Sequence, residues 1–64
     1  MRTLALRSTS ENLTIVYLPN GDRVAVKAIP SDGEPRQWTH QQAIEDSEIL
    51  VSRGWLEVDV RPFL

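Results

Sequence analysis

The stretch Leu13–Ile29 reads LTIVYLPNGDRVAVKAI. Two runs rich in β-branched and apolar residues flank Asn20-Gly21, and this arrangement predicts a β-hairpin, because both of these residues tolerate the positive φ of a tight turn. From Arg23 onward polar and apolar residues alternate, which predicts a strand with one apolar and one wet face. The first run is apolar on both faces, so we expect it at the centre of a sheet.

A helix is predicted after the hairpin. The connector Pro30–Gln37 is rich in turn formers and has no periodicity. Thr39 stands three residues before Gln42, the spacing of a capping box, and Gly54 follows Arg53 where a helix would end. The predicted inward face consists of Ala43, Ile44, Ser47, Leu50 and Val51. A rival interpretation pairs Ile49–Val51 with the following segment as a second hairpin through Arg53-Gly54.

The segment Trp55–Pro62 alternates between apolar and polar residues, which predicts a strand that ends at the proline. One face carries Leu56, Val58 and Val60, and the other carries Trp55, Glu57, Asp59 and Arg61. For Thr3–Arg7 an edge strand and an ordered arm both stay open. The sequence thus predicts one α+β domain over residues 1–64, a small antiparallel sheet in the order ββαβ with one helix packed on one face.

No residue pattern supports catalysis, a cofactor or a metal. The chain has one histidine, His40, and no cysteine, so a metal site lacks the usual nitrogen and sulfur ligands, and His40 is expected to be an exposed surface imidazole. The carboxylates Glu45, Asp46 and Glu48 spread over almost a full helical turn, which is typical of a solvated face. We therefore expect a protein that binds and is not an enzyme.

Charge and length favour a protein partner. Seven basic and nine acidic residues give a formal net charge of −2, without a basic block that would attract phosphates. With neither a signal pattern nor an apolar run near 18 residues, we expect a complete cytoplasmic product that is not bound to a membrane. A 64-residue chain without disulfides has a limited core, so a homodimer or a host protein would add useful burial.

The exposed face of the last predicted strand is the candidate binding site. Its members are Trp55, Glu57, Asp59 and Arg61. Tryptophan and arginine are enriched at binding hot spots, and the alternating charges suit a polar rim. The alternative is that Trp55 folds into the core at the corner between helix and strand, while the charges only keep the sheet soluble.

Two stretches resemble known families. Gly54–Pro62 is similar to the small early proteins with which lytic coliphages shut down host RNA polymerase, and this resemblance implies a polymerase contact for Arg61. Asp59 departs from that pattern, because the family carries a second functional arginine there. The N-terminal half, with Leu4–Arg7 and Gly21-Asp22, loosely resembles the carbon storage regulator family of RNA-binding dimers, from which it departs in spacing and in lacking the middle strand.

Three functional hypotheses follow. The first is a non-enzymatic protein-binding module, such as a phage or mobile-element inhibitor of a host RNA polymerase or CRISPR effector. The second is a nucleic-acid-binding regulator. It would use Arg2, Arg7, Arg23 and Lys27. The third is a structural component of a virion or another assembly.

Overall fold

The computed structural model describes residues 1–64 and contains a five-stranded antiparallel sheet with one helix. The elements are β1 (Leu4–Ser8), β2 (Leu13–Asn20), β3 (Arg23–Ile29), β4 (Arg36–Thr39), α1 (His40–Ser52), β5 (Leu56–Val58) and the 3₁₀ turn η1 (Arg61–Phe63). The strand order across the sheet is β4-β3-β2-β1-β5. The predicted α+β class with one helix is confirmed, although the sheet has five strands and not the three of a ββαβ unit.

The predicted hairpin forms, with its turn one residue later than expected. Asn20 still pairs with Arg23, so the two turn residues are Gly21 and Asp22. Gly21 has a φ of 62° and Asp22 does not have a positive φ, the pattern of a turn whose first central residue must be glycine. The strand β2 lies at the centre of the sheet, as its two apolar faces predict.

Two strands differ from what the sequence predicts. Leu4–Ser8 is neither an edge strand nor an arm, because β1 pairs with β2 on one side and with β5 on the other. The end of the predicted connector forms β4, in which Arg36 and Gln37 pair with β3. A polar edge strand needs only backbone pairing with its neighbour, so its sequence carries no apolar periodicity.

The helix begins and ends where the sequence predicts. Thr39 accepts from the backbone N–H of Gln42 at 3.1 Å, and the Gln42 side chain accepts from the Thr39 N–H at 3.0 Å, which completes the capping box. Residues 49–52 are helical, so the rival second hairpin is wrong. The prediction that Ile44 and Val51 face inward is also wrong, since they are 39% and 55% exposed. The helix is too short and too polar to cross a membrane.

Both faces of the sheet are covered. The helix covers the face that carries the main core, a cluster of Leu4, Leu6, Tyr17, Val24, Val26, Ala43 and Trp55. On the opposite face Ala5, Val16 and Lys27 form one cross-strand row, in which Ala5 and Val16 are fully buried. The Lys27 ammonium donates to the carbonyl of Phe63 at 3.0 Å, which places the C-terminal turn over this second face.

Candidate protein-binding groove

A groove of about 510 Å³ opens between the second half of α1 and the β1–β5 edge of the sheet. Leu4, Leu6 and Trp55 form its apolar lining on the sheet side, and Leu56 borders it on β5. Val51 lines it from the helix, where more than half of this side chain is open to solvent. The polar members of the lining are Arg2, Ser47, Glu48, Ser52 and Glu57. An apolar floor with a charged rim is the usual composition of a site that receives a side chain from a partner.

The end of α1 directs Trp55 into this groove. The Gly54 N–H donates to the Val51 carbonyl at 3.0 Å, and the Trp55 N–H donates to the Leu50 carbonyl at 3.1 Å. These two bonds form a Schellman motif, in which the residue after the glycine packs back on the last helical turn. Trp55 is accordingly 9% exposed and belongs to the core cluster together with Leu50 at its border. The interpretation of Trp55 as a core residue is therefore confirmed, and its indole contributes to the groove as a wall.

The faces of β5 alternate as predicted, but with the opposite orientation toward the helix. Glu57 pairs with Leu6 across the β1–β5 ladder, so it lies on the helix-covered face. Leu56 pairs with Arg7 and lies on the other face, where it is 63% exposed. The expectation that Leu56 is on the buried face is wrong, because periodicity separates the two faces of a strand without showing which one the helix covers.

Glu57 is held by Arg2 in a bidentate ion pair at the rim of the groove. The two guanidinium nitrogens donate to the two carboxylate oxygens at 2.6 and 2.9 Å. Both side chains stay largely solvent-exposed. Hydrogen bonding from Arg2 holds the pKa of the Glu57 carboxyl below its usual value. The rim thus presents a positive and a negative group side by side at neutral pH.

Asp59 and Arg61 lie beyond the end of β5 and bind each other. The Arg61 side chain donates to both carboxylate oxygens of Asp59, and its backbone N–H donates to Asp59 Oδ1 at 3.0 Å. These hydrogen bonds lower the pKa of the Asp59 carboxyl. Of the four predicted site residues, the structure brings Trp55 and Glu57 into one groove, whereas Asp59 and Arg61 form a separate exposed pair at the start of η1.

Sequence reasoning missed most of the groove. The sequence gives Leu4 and Leu6 no role, because an edge strand and an ordered arm both stay open for Thr3–Arg7, and its helical periodicity places Val51 in the core. The available signal was the unbroken apolar run Leu4–Leu6, since a strand with both faces covered has no alternation. Arg2 had no signal at all, because its partner Glu57 is 55 residues away in the sequence.

His40 and the acidic residues on the other side of α1 lie outside this groove. His40 is half-buried, not exposed as expected, and its ring lies between the Met1 amino group at 2.8 Å and the Gly21 carbonyl at 2.7 Å. No group of three or more histidine, aspartate or glutamate side chains is arranged to hold a metal ion. A second, shallower groove of about 390 Å³ lies on the other side of α1. It is lined by Trp38, Gln42, Glu45, Asp46 and Ile49.

Comparison with known proteins finds no match, because no family model, curated protein sequence or solved structure is significantly similar to this chain. The resemblances to coliphage RNA polymerase inhibitors and to carbon storage regulators therefore remain interpretations of short sequence stretches. Function has to be argued from the groove itself.

Proposed function

We propose that this protein is a non-enzymatic protein-binding module, and that the groove between α1 and β5 is its contact surface for a partner. The partner we expect is an extended segment of a protein that carries an apolar side chain. The observation that carries this proposal is the apolar groove with its charged rim, into which the half-exposed Val51 opens. A groove of this kind receives an apolar side chain of a partner, and this contact does not require pairing with the backbone of β5.

The exposed apolar residues around this groove support the proposal. Val51 is 55% exposed on the helix side of the groove, and Leu56 is 63% exposed where β5 borders it. Exposed apolar side chains that cluster at a rimmed groove indicate a binding surface, whereas scattered ones do not. Glu48 adds a carboxylate to the rim, in addition to the charge-balanced pair of Arg2 and Glu57. A basic residue next to the apolar side chain of the partner would complement it.

The basic residues suit a nucleic-acid partner less well. Arg2 is paired with Glu57, Arg7 donates to Thr14 and Asn12, and Lys27 donates to the Phe63 carbonyl. Three of the four candidate cations thus have partners inside the protein. Arg2 lies with Glu57 on the helix-covered face, whereas Arg7, Arg23 and Lys27 lie on the other face, so the four cations do not form one continuous stripe for phosphate binding.

The test is to select a peptide and map where it binds. Twelve-residue peptides would be selected from a random displayed library, and the best binder titrated into ¹⁵N-labelled protein. We expect the largest shifts at the Trp55 indole N–H and at the β5 amides. Val51→Lys should weaken the peptide at least about tenfold, because it places a charge in the apolar groove.

Ile49→Lys is the matched control for Val51→Lys. Ile49 is 49% exposed on the same helix, but it lines the opposite groove. We expect the selected peptide to bind this variant as it binds the unmodified protein. Shifts centred on another surface, or equal losses in the two lysine variants, would contradict the assignment of the groove. Tight binding of a single-stranded oligonucleotide in place of peptides would favour the regulator hypothesis.

A further inference from the structure

The outer edge of β5 has no strand beside it. β5 is the last strand in the order of the sheet, so one side of its backbone has no partner within the sheet. It has neither a lysine nor a proline within Leu56–Val58, two residues with which edge strands often prevent further pairing. Leu56 is the most exposed large apolar side chain within any strand. This edge is therefore open to another strand.

The sequence of β5 is complementary to itself when two copies run antiparallel. Its three residues are apolar, charged and apolar: Leu56, Glu57 and Val58. If two copies pair with Glu57 opposite Glu57, Leu56 of each copy lies opposite Val58 of the other. Aliphatic pairs on one face of antiparallel strands are a main source of sheet stabilisation. The arrangement buries the exposed Leu56 of both copies.

The charges at the centre of this pairing also balance. Two carboxylates directly opposite each other would repel, and a charge at an edge normally discourages pairing. Here each Glu57 carries the bidentate Arg2 of its own chain, so two positive and two negative groups would meet. A guanidinium has five N–H donors, and the ion pair uses two of them. The remaining donors are free to bind the carboxylate of the second copy.

We propose that β5 pairs antiparallel with β5 of a second copy, about a two-fold axis at Glu57, and so joins two sheets into one of ten strands. The axis of such a pairing is perpendicular to the sheet, and it leaves both helices on the same face. The two grooves between α1 and β5 then border each other and form one trough. This shared trough rests on the proposed function of the groove, whereas the strand pairing does not.

The test is the molecular mass in solution, measured by sedimentation equilibrium from roughly 10 µM to 1 mM. The mass of the unmodified protein should rise with concentration from 7.3 kDa toward twice that value. Arg2→Glu and Glu57→Arg should each keep the protein at 7.3 kDa, because either change brings four like charges together at the axis. The double variant Arg2→Glu/Glu57→Arg restores the pair with its signs exchanged and should recover dimerisation.

Arg36→Glu is the matched control, because it makes the same charge change at the opposite edge and breaks the exposed pair of Arg36 with Asp32. It should dimerise like the unmodified protein, and far-UV circular dichroism checks that every variant is folded. A protein that stays monomeric at the highest concentration would overturn the pairing, as would a double variant that folds but stays monomeric.

Titration of the selected peptide separates this inference from the proposed function. If the monomeric Arg2→Glu variant still binds the peptide, the groove of a single chain is sufficient for binding. This result would overturn the shared trough. The proposed function would fail in a different way. The protein would dimerise as expected, but Val51→Lys would not change its affinity for the peptide.

Discussion

Tyr17 is the residue that ties the centre of the sheet to the helix. Its side chain is fully buried, and its hydroxyl donates to Asp46 on α1 at 2.6 Å. Burial raises the pKa of the Tyr17 hydroxyl well above its usual value, and the hydrogen bond to the carboxylate raises it further. The native state therefore keeps this proton at pH values where the unfolded chain has lost it.

This difference predicts that stability declines at alkaline pH. The unfolded tyrosine ionises near pH 10.0. Above that pH the native state holds one proton more than the unfolded state, so the free energy of unfolding should fall by up to about 1.4 kcal/mol per pH unit. Tyr17→Phe should lower the free energy of unfolding by about 1 kcal/mol at neutral pH, because the hydrogen bond is lost. The variant should not show the decline in stability above pH 10.0, because it has no hydroxyl at this position to ionise. Urea unfolding from pH 7 to 11 measures both effects.

The chain contains no other tyrosine, so the comparison of the two proteins isolates this group. Parallel pH profiles for the unmodified protein and the phenylalanine variant would show that Tyr17 ionises normally in the fold. They would also contradict its role as the link between β2 and α1.

At the scale of the element, the end of α1 depends on one backbone conformation. Gly54 has a φ of +93°, a region that side chains with a branched β-carbon rarely adopt. An added Cβ would meet no atom within 4 Å, so any cost of substitution comes from the backbone. Gly54→Val should lower the free energy of unfolding by about 1 kcal/mol or more. The shift of the melting midpoint in thermal unfolding measures this loss of stability.

Gly54→Asn is the control for this prediction, because asparagine tolerates positive φ better than valine does. It should lie between the unmodified protein and the valine variant in melting midpoint. Equal midpoints for all three proteins would contradict the requirement for a left-handed residue after the helix.

Elements with local signals were predictable from the sequence. The hairpin and both ends of α1 were found because turn glycines and capping side chains act within four residues of where they stand. Elements defined by distant partners were not. β4 pairs with β3 through its backbone, so Arg36 and Gln37 show no pattern. The turn lies one residue later than predicted because Gly21-Asp22 is a common pair in tight turns as well as Asn20-Gly21, so the sequence alone allows both positions.

The candidate site was also predictable only in part, because some of its residues have a local signal and others depend on distant partners. Trp55 and Glu57 were selected from the last strand, and both line the groove. The orientation of that strand depends on which face the helix covers, which is a property of the whole sheet. The pairing of Arg2 with Glu57 depends on β1 lying next to β5, and no local pattern reports this neighbour.

At the scale of the whole molecule, a helix lies on one face of the sheet and the C-terminal turn η1 lies on the other. The helix covers the face with Tyr17 and Val26, and the C-terminal turn covers the face with Ala5 and Val16. Phe63 is half-buried in this turn, and Ala5 and Val16 of the sheet are fully buried. The C-terminal turn thus adds apolar area on the face that the helix does not cover.

This enclosure predicts that the C-terminal turn contributes to global stability. Phe63→Ala removes half-buried apolar area over the second face, so it should reduce the free energy of unfolding by roughly 1–2 kcal/mol. Leu64→Ala, next to it and 76% exposed, should change that free energy by less than about 0.5 kcal/mol. Urea denaturation followed by tryptophan fluorescence compares the two, since Trp38 and Trp55 both lie on the opposite face of the sheet. If both variants unfold at the midpoint of the unmodified protein, the C-terminal turn does not seal this face, and Ala5 and Val16 owe their burial to the strands alone.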